Sequence, residues 1–166
     1  MNTIIIYHSK TGFSQRYAQW LAESLHCQAF PYRERRSIDL GKYETIILVG
    51  GLYAGNTSGL GWLKKQPPAG KRTAAVAVGC SPVGWSGQSE SMEKLFGGVP
   101  PIQGFYCQGG LAYDRMGAAD RVMMAALRAT LRGTPEMAQM LEGISRSFDG
   151  TRREYLAPVI RWAREG

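Results

Sequence analysis

The chain has 166 residues, with 20 lysines and arginines against 13 aspartates and glutamates, and a net charge of +7. This length fits a single domain with a sizeable buried core. The sequence has no apolar run long enough to span a bilayer and no charged segment followed by an apolar one at its start, so we expect neither a membrane span nor secretion.

Cysteine usage points to a reducing compartment. Cys27, Cys80 and Cys107 lie far apart and form no C-x-x-C pair. We therefore expect three buried thiols in the cytoplasm, rather than a disulfide framework or a metal site.

The first strand and the loop after it are the most informative part of the sequence. Residues 4–6 are three isoleucines in a row, which is typical of a strand buried on both faces of a parallel sheet. A loop over residues 9–14 follows, runs directly into a helical pattern and carries hydroxyls on Ser9, Thr11 and Ser14. The unpaired N–H groups and partial positive charge of a helix N-terminus suit a phosphate. The same residue types also serve as ordinary capping and turn chemistry.

Several other phosphate-handling loops are excluded by inspection. The patterns G-x-x-x-x-G-K-[ST] and G-x-G-x-x-G are absent after the first strand. No aspartate ends that strand or the later strand 45–49, which argues against a phospho-accepting receiver domain. Cys80 is followed by Ser86 where a phosphatase loop would need arginine.

The rest of the chain alternates between strand and helix patterns. Hydrophobic periodicity and turn residues predict strands over 27–32, 45–49, 73–79 and 104–109, of which 45–49 is buried. They predict helices over 13–25, over 57–66 and around 156–163, and the second of these is short and ended by Pro67 and Pro68. This alternation predicts an α/β fold, an open parallel sheet with helices on both faces. A ligand in such a fold binds beyond the carboxyl ends of the strands. The loops after residues 8, 49 and 79 should therefore form one shared site.

The loop Ser9-Lys10-Thr11-Gly12-Phe13-Ser14 resembles the S/T-x-T-G-x-S/T phosphate signature of the flavodoxin family, at the place after strand 1 where that family has it. The resemblance covers nearly the whole chain, because the later strands and loops follow in the family's order. It implies a single flavodoxin-like three-layer sandwich over residues 1–166, with flavin mononucleotide (FMN) as cofactor. The residues it assigns to the FMN phosphate are Ser9, Lys10, Thr11, Gly12, Phe13 and Ser14.

The same resemblance assigns the two later loops to the flavin ring. The first contributes Leu52, Tyr53, Ala54 and Gly55, and the second contributes Cys80, Ser81, Pro82, Val83, Gly84 and Trp85. Trp85, between two glycines, is the better candidate for coplanar stacking on the ring. Tyr53 is the candidate aromatic of the other loop, with Leu52 as its rival. The structural alternatives are that Tyr53 only caps the core and that Cys80 is a packing residue.

Residues 110–150 form an inserted basic, Met-rich helical segment that a minimal flavodoxin does not need. On a helical wheel an apolar arc holds Met116, Met123, Met124, Leu127 and Leu131, and an adjacent stripe holds Arg121, Arg128 and Arg132. Such a helix is either a packed surface element or an interfacial one. An insertion of this kind also resembles, more loosely, the menaquinone-dependent protoporphyrinogen oxidases, which are flavodoxin-like.

The net charge of +7 departs from the acidic flavodoxins that serve as electron shuttles. It predicts an anionic partner: an acidic protein, a carboxylate-bearing substrate or the inner face of an anionic membrane. An acidic protein or a membrane would be contacted through the three arginines of the stripe. We expect no nucleic-acid partner, because the sequence has no recognised nucleic-acid motif and no run of lysine or arginine longer than two.

Three functions are compatible with these patterns. The first is an electron carrier whose FMN exchanges electrons with a redox partner protein. The second is an FMN-dependent oxidoreductase of the protoporphyrinogen or quinone type, acting at a membrane surface. The third is a non-redox interaction module without flavin. With no carboxylate pair, Ser/His/Asp set or metal-ligand constellation, we assign no catalytic side chain and no metal site.

Overall fold

A computed structural model describes residues 2–65, 69–97 and 102–165. Its central element is a sheet with the order β2-β1-β3-β5-β6, in which every neighbouring pair is parallel, while the short β4 pairs antiparallel with the end of β3. This is the strand order of flavodoxin-like doubly wound sheets, which reverses between β1 and β3. The predicted α/β fold is confirmed. The strands are β1 (Thr3–His8), β2 (Gln28–Pro31), β3 (Thr45–Tyr53), β4 (Asn56–Thr57), β5 (Arg72–Gly79) and β6 (Ile102–Gln108).

Helices cover both faces of the sheet, so the domain has three layers. Successive side chains of a strand point to opposite faces, and Ile5 accordingly belongs to one apolar cluster while Ile4 and Ile6 belong to the other. The first cluster packs against α1 (Phe13–Leu25) and α6 (Ala157–Arg164), and the second against α2 (Leu60–Lys65) and α3 (Gln88–Phe96). Pro158 lies in the first turn of α6, where proline is tolerated.

The predicted helix over 13–25 is confirmed at both ends, but other bounds differ. Strand β3 runs on to Tyr53, beyond the predicted end at residue 49, because β4 pairs with its last two residues. Helix α2 begins only at Leu60, since the chain first completes β4; Pro67 and Pro68 lie outside the described residues. Helix α3 was not predicted, because its sequence is mostly polar.

Only one of the three cysteines is fully buried. All are free thiols, and Cys107 lies in the core while Cys27 and Cys80 are half-buried. The expectation of three buried thiols is therefore correct for Cys107 alone, because Cys27 precedes β2 and Cys80 follows β5, at the ends of strands.

The insertion leaves the sheet after β6 and returns through a two-stranded stem. Strand β7 (Gly110–Leu111) pairs antiparallel with β8 (Phe148–Asp149), and α4 (Ala118–Leu131) and α5 (Ala138–Ile144) lie between them. The backbone N–H of Tyr113 donates to the hydroxyl of Ser147 at 3.0 Å, next to the stem. Met116 precedes α4 instead of lying on it. In the described part of the chain, each helix is too short or too polar to span a bilayer.

Candidate functional site

A cavity of about 320 Å³ lies at the carboxyl ends of β1, β3 and β5. Its volume is at the lower end of the range for small-molecule sites, roughly 300–1,000 Å³. The loop after β1, the end of β3, the end of β5 and the insertion all contribute to its walls. The shared site that the sequence predicts beyond three strands thus corresponds to one cavity.

The loop after β1 forms one wall through Ser9, Lys10, Thr11, Phe13 and Ser14. The loop turns at Gly12, whose φ of 99° is a conformation that favours glycine. The backbone N–H of Gly12 donates to the Ser9 hydroxyl at 3.0 Å, and this bond closes the turn. Ser14 is buried although its side chain is polar.

The N-terminus of α1 lies at the cavity, because its first two residues, Phe13 and Ser14, line it. Among the described residues no side chain caps this helix, and its first turn contains no acidic residue. The first N–H groups of a helix lack partners within the helix and carry part of a positive charge. A phosphate could accept hydrogen bonds here from the loop hydroxyls, the uncapped start of α1 and the Lys10 ammonium.

The end of β3 forms a second wall. Gly51, Leu52, Tyr53 and Ala54 line the cavity, whereas Gly55 lies outside that lining. The Lys10 ammonium lies 4.8 Å from the centre of the Tyr53 ring. Burial raises the pKa of the Tyr53 hydroxyl, and the carboxylate of Asp120 adds to this effect. Tyr53 is thus an uncharged aromatic side chain at the cavity wall.

Only the first residue of the predicted third loop reaches the cavity. Cys80 lines it beside Val78 and Gly79, and burial raises the pKa of the Cys80 thiol to about 11. The other predicted residues of this loop lie outside the lining that the described residues form: Ser81, Pro82, Val83, Gly84 and Trp85. The Trp85 ring packs instead against Tyr106, whose hydroxyl donates to the carbonyl of Ser81 at 2.7 Å.

The insertion completes the cavity, which the sequence did not indicate. Part of the apolar arc faces inward, together with one acidic residue of α4 and the first strand of the stem. The added lining residues are Met116, Asp120, Met123, Met124 and Leu127, with Gly110 and Leu111. The helical period identified the arc, but a period cannot say which part of the fold the arc covers.

Two of the three arginines on the predicted stripe contact the insertion itself. The Arg121 Nε–H donates to the carbonyl of Tyr113 at 3.1 Å, and the Arg128 guanidinium lies 5.2 Å from the centre of the Tyr113 ring. Arg132 follows α4 and is exposed. The first two side chains therefore hold the turn before α4 against the helix.

Comparison with known proteins assigns the chain to a family. A family model described as a flavodoxin domain matches residues 4–137, which is most of the chain. The chain belongs to the flavodoxin domain family. Family membership supports a flavin-type redox role, in agreement with the resemblance of residues 9–14. No functionally curated protein matches the sequence.

Solved structures of low sequence identity are also similar to this flavodoxin-family chain. A putative flavoprotein from Bacteroides uniformis is 18% identical over 65% of this chain and 90% of its own, with a TM-score of 0.49. An archaeal flavodoxin is 18% identical over 66% of this chain and 85% of its own, with a TM-score of 0.39. An NAD(P)H:quinone oxidoreductase from Methanothermobacter marburgensis is 15% identical over 76% of this chain and 92% of its own, with a TM-score of 0.45.

Proposed function

We propose that this protein binds FMN in the cavity and transfers electrons through the bound flavin. One observation carries the proposal: the loop after β1, with its uncapped helix start, opens into the same cavity as the ends of β3 and β5. In this strand order the cavity lies at the reversal between β1 and β3, where a flavodoxin-like fold binds its cofactor.

The side chains of the cavity divide into two groups that match the two halves of FMN. The hydroxyls of Thr11 and Ser14, the Lys10 ammonium and the start of α1 would hold the phosphate. Leu52 and Tyr53 would lie against the ring. Bound FMN would supply the one- and two-electron chemistry. The protein would position the ring and exclude water from it.

A titration with FMN tests the proposal. We expect FMN fluorescence and the visible absorption band to change on addition of the protein, and photoreduction to reduce the bound flavin. Thr11→Val and Ser14→Ala should each weaken FMN binding by about tenfold or more, the size of a lost hydrogen bond to a charged group. Ser37→Ala is a matched control, since Ser37 lies on an exposed turn and donates to the carbonyl of Glu34. Protein that leaves the FMN spectrum unchanged would support the non-redox module instead.

A small-molecule oxidoreductase is the second candidate, and the wall formed by α4 favours it. Met123, Met124 and Leu127 line the cavity with apolar side chains, although Met123 and Leu127 are also exposed to solvent. An apolar wall suits an organic substrate of the protoporphyrinogen or quinone type. Stopped-flow mixing of photoreduced protein with a water-soluble quinone or with cytochrome c separates the two candidates. Faster reoxidation by the quinone favours the oxidoreductase, and faster reoxidation by cytochrome c favours the carrier.

An anionic membrane surface is the partner that we propose for the insertion. Its outer side presents apolar Val122, which is 70% exposed, with Met137, Met140 and the exposed Arg132, on a chain of net charge +7. Apolar and basic side chains together suit binding to anionic lipid. We expect co-sedimentation with anionic but not neutral liposomes, weakened by salt and by Val122→Ser with Arg132→Gln. Arg36→Gln removes the same charge from an exposed site away from the insertion and should leave binding unchanged; salt-insensitive or absent binding would contradict the proposal.

A further inference from the structure

An ion pair joins the loop after β1 to the insertion across the cavity wall. The ammonium of Lys10 lies 3.2 Å from one carboxylate oxygen of Asp120 and 3.4 Å from the other. Both residues line the cavity, and the Asp120 side chain is only 19% exposed. The Lys10 side chain is 46% exposed, so solvent screens the pair in part, though less than it screens a pair of two exposed side chains.

Asp120 places a negative charge beside a loop that otherwise presents positive charge. Arg115, also on the insertion, donates from its guanidinium to the carbonyl of Thr11 at 2.8 Å. The first turn of α1 contributes free N–H groups and contains no acid. The Lys10 ammonium is thus occupied by Asp120, in a wall whose other charged and dipolar groups favour an anion.

We propose that Asp120 sets how strongly the cavity prefers phosphorylated over unphosphorylated flavins, because its carboxylate competes with a phosphate for the Lys10 ammonium. The inference rests on the proposed binding of FMN. A phosphate monoester carries a charge of about −1.5 to −2 at pH 7, so it competes effectively with a single carboxylate. Loss of the ion pair also removes one contact between the first turn of α4 and the loop, beside the bond from Arg115 to the carbonyl of Thr11.

Titration with FMN and with riboflavin, which lacks only the phosphate, tests the competition. The proteins are the wild type, Asp120→Asn, Lys10→Gln and the double variant. We expect Asp120→Asn to tighten FMN binding by roughly fivefold and to change riboflavin binding by less than about twofold. In the Lys10→Gln background the same change should have a clearly smaller effect on FMN, as a double-mutant cycle requires of coupled residues. Glu136→Gln, which removes an exposed carboxylate before α5, is the control and should leave both affinities unchanged.

Equal tightening of FMN and riboflavin by Asp120→Asn would overturn the inference, since Asp120 would then act on the ring. An unchanged FMN affinity, or an effect of the same size with and without Lys10, would overturn it as well. These outcomes differ from failure of the proposed function, in which none of the four proteins binds either flavin.

Hydrogen exchange of α4 provides a test that needs no flavin. We expect inorganic phosphate to speed amide exchange of residues 122–125 in the wild type, because phosphate displaces Asp120 from Lys10 and loosens the first turn of α4, to which these N–H groups bond. In Asp120→Asn, exchange should be fast already and insensitive to phosphate. Exchange in the wild type that does not respond to phosphate would overturn the competition.

Discussion

Trp85 and Tyr106 pack edge to face, with ring centres 4.7 Å apart and ring planes at 63°. Edge-to-face packing is a favourable arrangement for two aromatic rings. Through this contact the partly buried Trp85 packs against the apolar cluster on the α3 side of the sheet. Of the aromatic residues in the two loops that the resemblance assigns to the flavin ring, Tyr53 lines the cavity formed by the described residues and Trp85 does not. Stacking of Trp85 on the flavin stays a prediction.

Substitutions of Tyr53 and of Trp85 should therefore differ in their effects on FMN binding and on stability. Tyr53→Leu should weaken FMN binding by about tenfold, because it removes a ring from the cavity wall. Trp85→Leu should change FMN affinity by less than about twofold, and lower the free energy of unfolding by about 1–2 kcal/mol through lost packing on Tyr106. FMN titration and urea unfolding of both variants measure these effects. A larger loss of FMN affinity in the Trp85 variant would indicate that its loop rearranges to stack on the ring.

The turn at Gly12 should not tolerate a side chain. Gly12→Ala forces a β-carbon into a backbone with φ of 99° and places it 2.9 Å from the guanidinium of Arg115. We expect the free energy of unfolding to fall by about 1–3 kcal/mol, and FMN binding to weaken with it. Gly143→Ala is the matched control, because an added β-carbon there meets no atom within 4 Å and alanine favours helix α5. Its free energy of unfolding should be unchanged or higher by up to about 1 kcal/mol. Equal urea midpoints for the two variants would contradict this account of the turn.

The labelling rate of the Cys80 thiol should measure whether the cavity is occupied, and the rate at Cys27 is the internal control. Burial raises the pKa of both thiols to about 11, but only Cys80 lines the cavity. At pH 8 we expect iodoacetamide to label both roughly a hundredfold more slowly than an unperturbed cysteine, because the thiolate is the reactive form. Added FMN should slow Cys80 further and leave Cys27 unchanged, as measured by peptide mass spectrometry. Equal protection of the two thiols would indicate a change in global stability rather than occupancy of the cavity.

Asp149 should make the acid stability of the protein depend on the stem. Although burial acts to raise its pKa, hydrogen bonds from Thr151 and Arg16 lower it below the ordinary value of 3.8. A lowered pKa in the folded state means that the ionised carboxylate stabilises the fold above the unfolded pKa. That contribution is lost as the pH falls through the folded pKa.

We therefore expect Asp149→Asn to flatten the fall in unfolding free energy below about pH 4. Urea unfolding between pH 3 and 7 measures the slope, with Glu136→Gln as a carboxylate control that should follow the wild type. A variant of Asp149 that loses stability with acid as steeply as the wild type would refute the role of this carboxylate.

Local pattern was sufficient to predict the layers of this fold. The run of Ile4, Ile5 and Ile6 and the 3.6-residue period of residues 13–25 each predict an element that the structure contains, because burial on two faces and on one face leave different signatures. Helix α3 has too few apolar residues for such a signature. The extension of β3 to Tyr53 depends on its pairing with β4. A local hydrophobic period does not show which strands pair.

The candidate site was predictable where it consists of loops that follow strands, since sheet topology alone brings those loops together. Its wall from the insertion was not predictable, because Lys10 and Asp120 are 110 residues apart and the apolar arc of α4 has the same period whether it faces core, cavity or solvent. The position of Trp85, in the loop after β5, likewise depends on its contact with Tyr106 of β6. Contacts of this kind arise from tertiary packing and leave no local trace in sequence.

The stem of β7 and β8 has an evolutionary consequence. Because Gly110 pairs with Asp149 and Leu111 with Phe148, the polypeptide departs from the domain and rejoins it at adjacent positions. An ancestor with a tight turn at that point would have kept the same sheet and the same loop after β1. Gain or exchange of this module would then change the cavity wall that the insertion supplies, without changing the loop after β1.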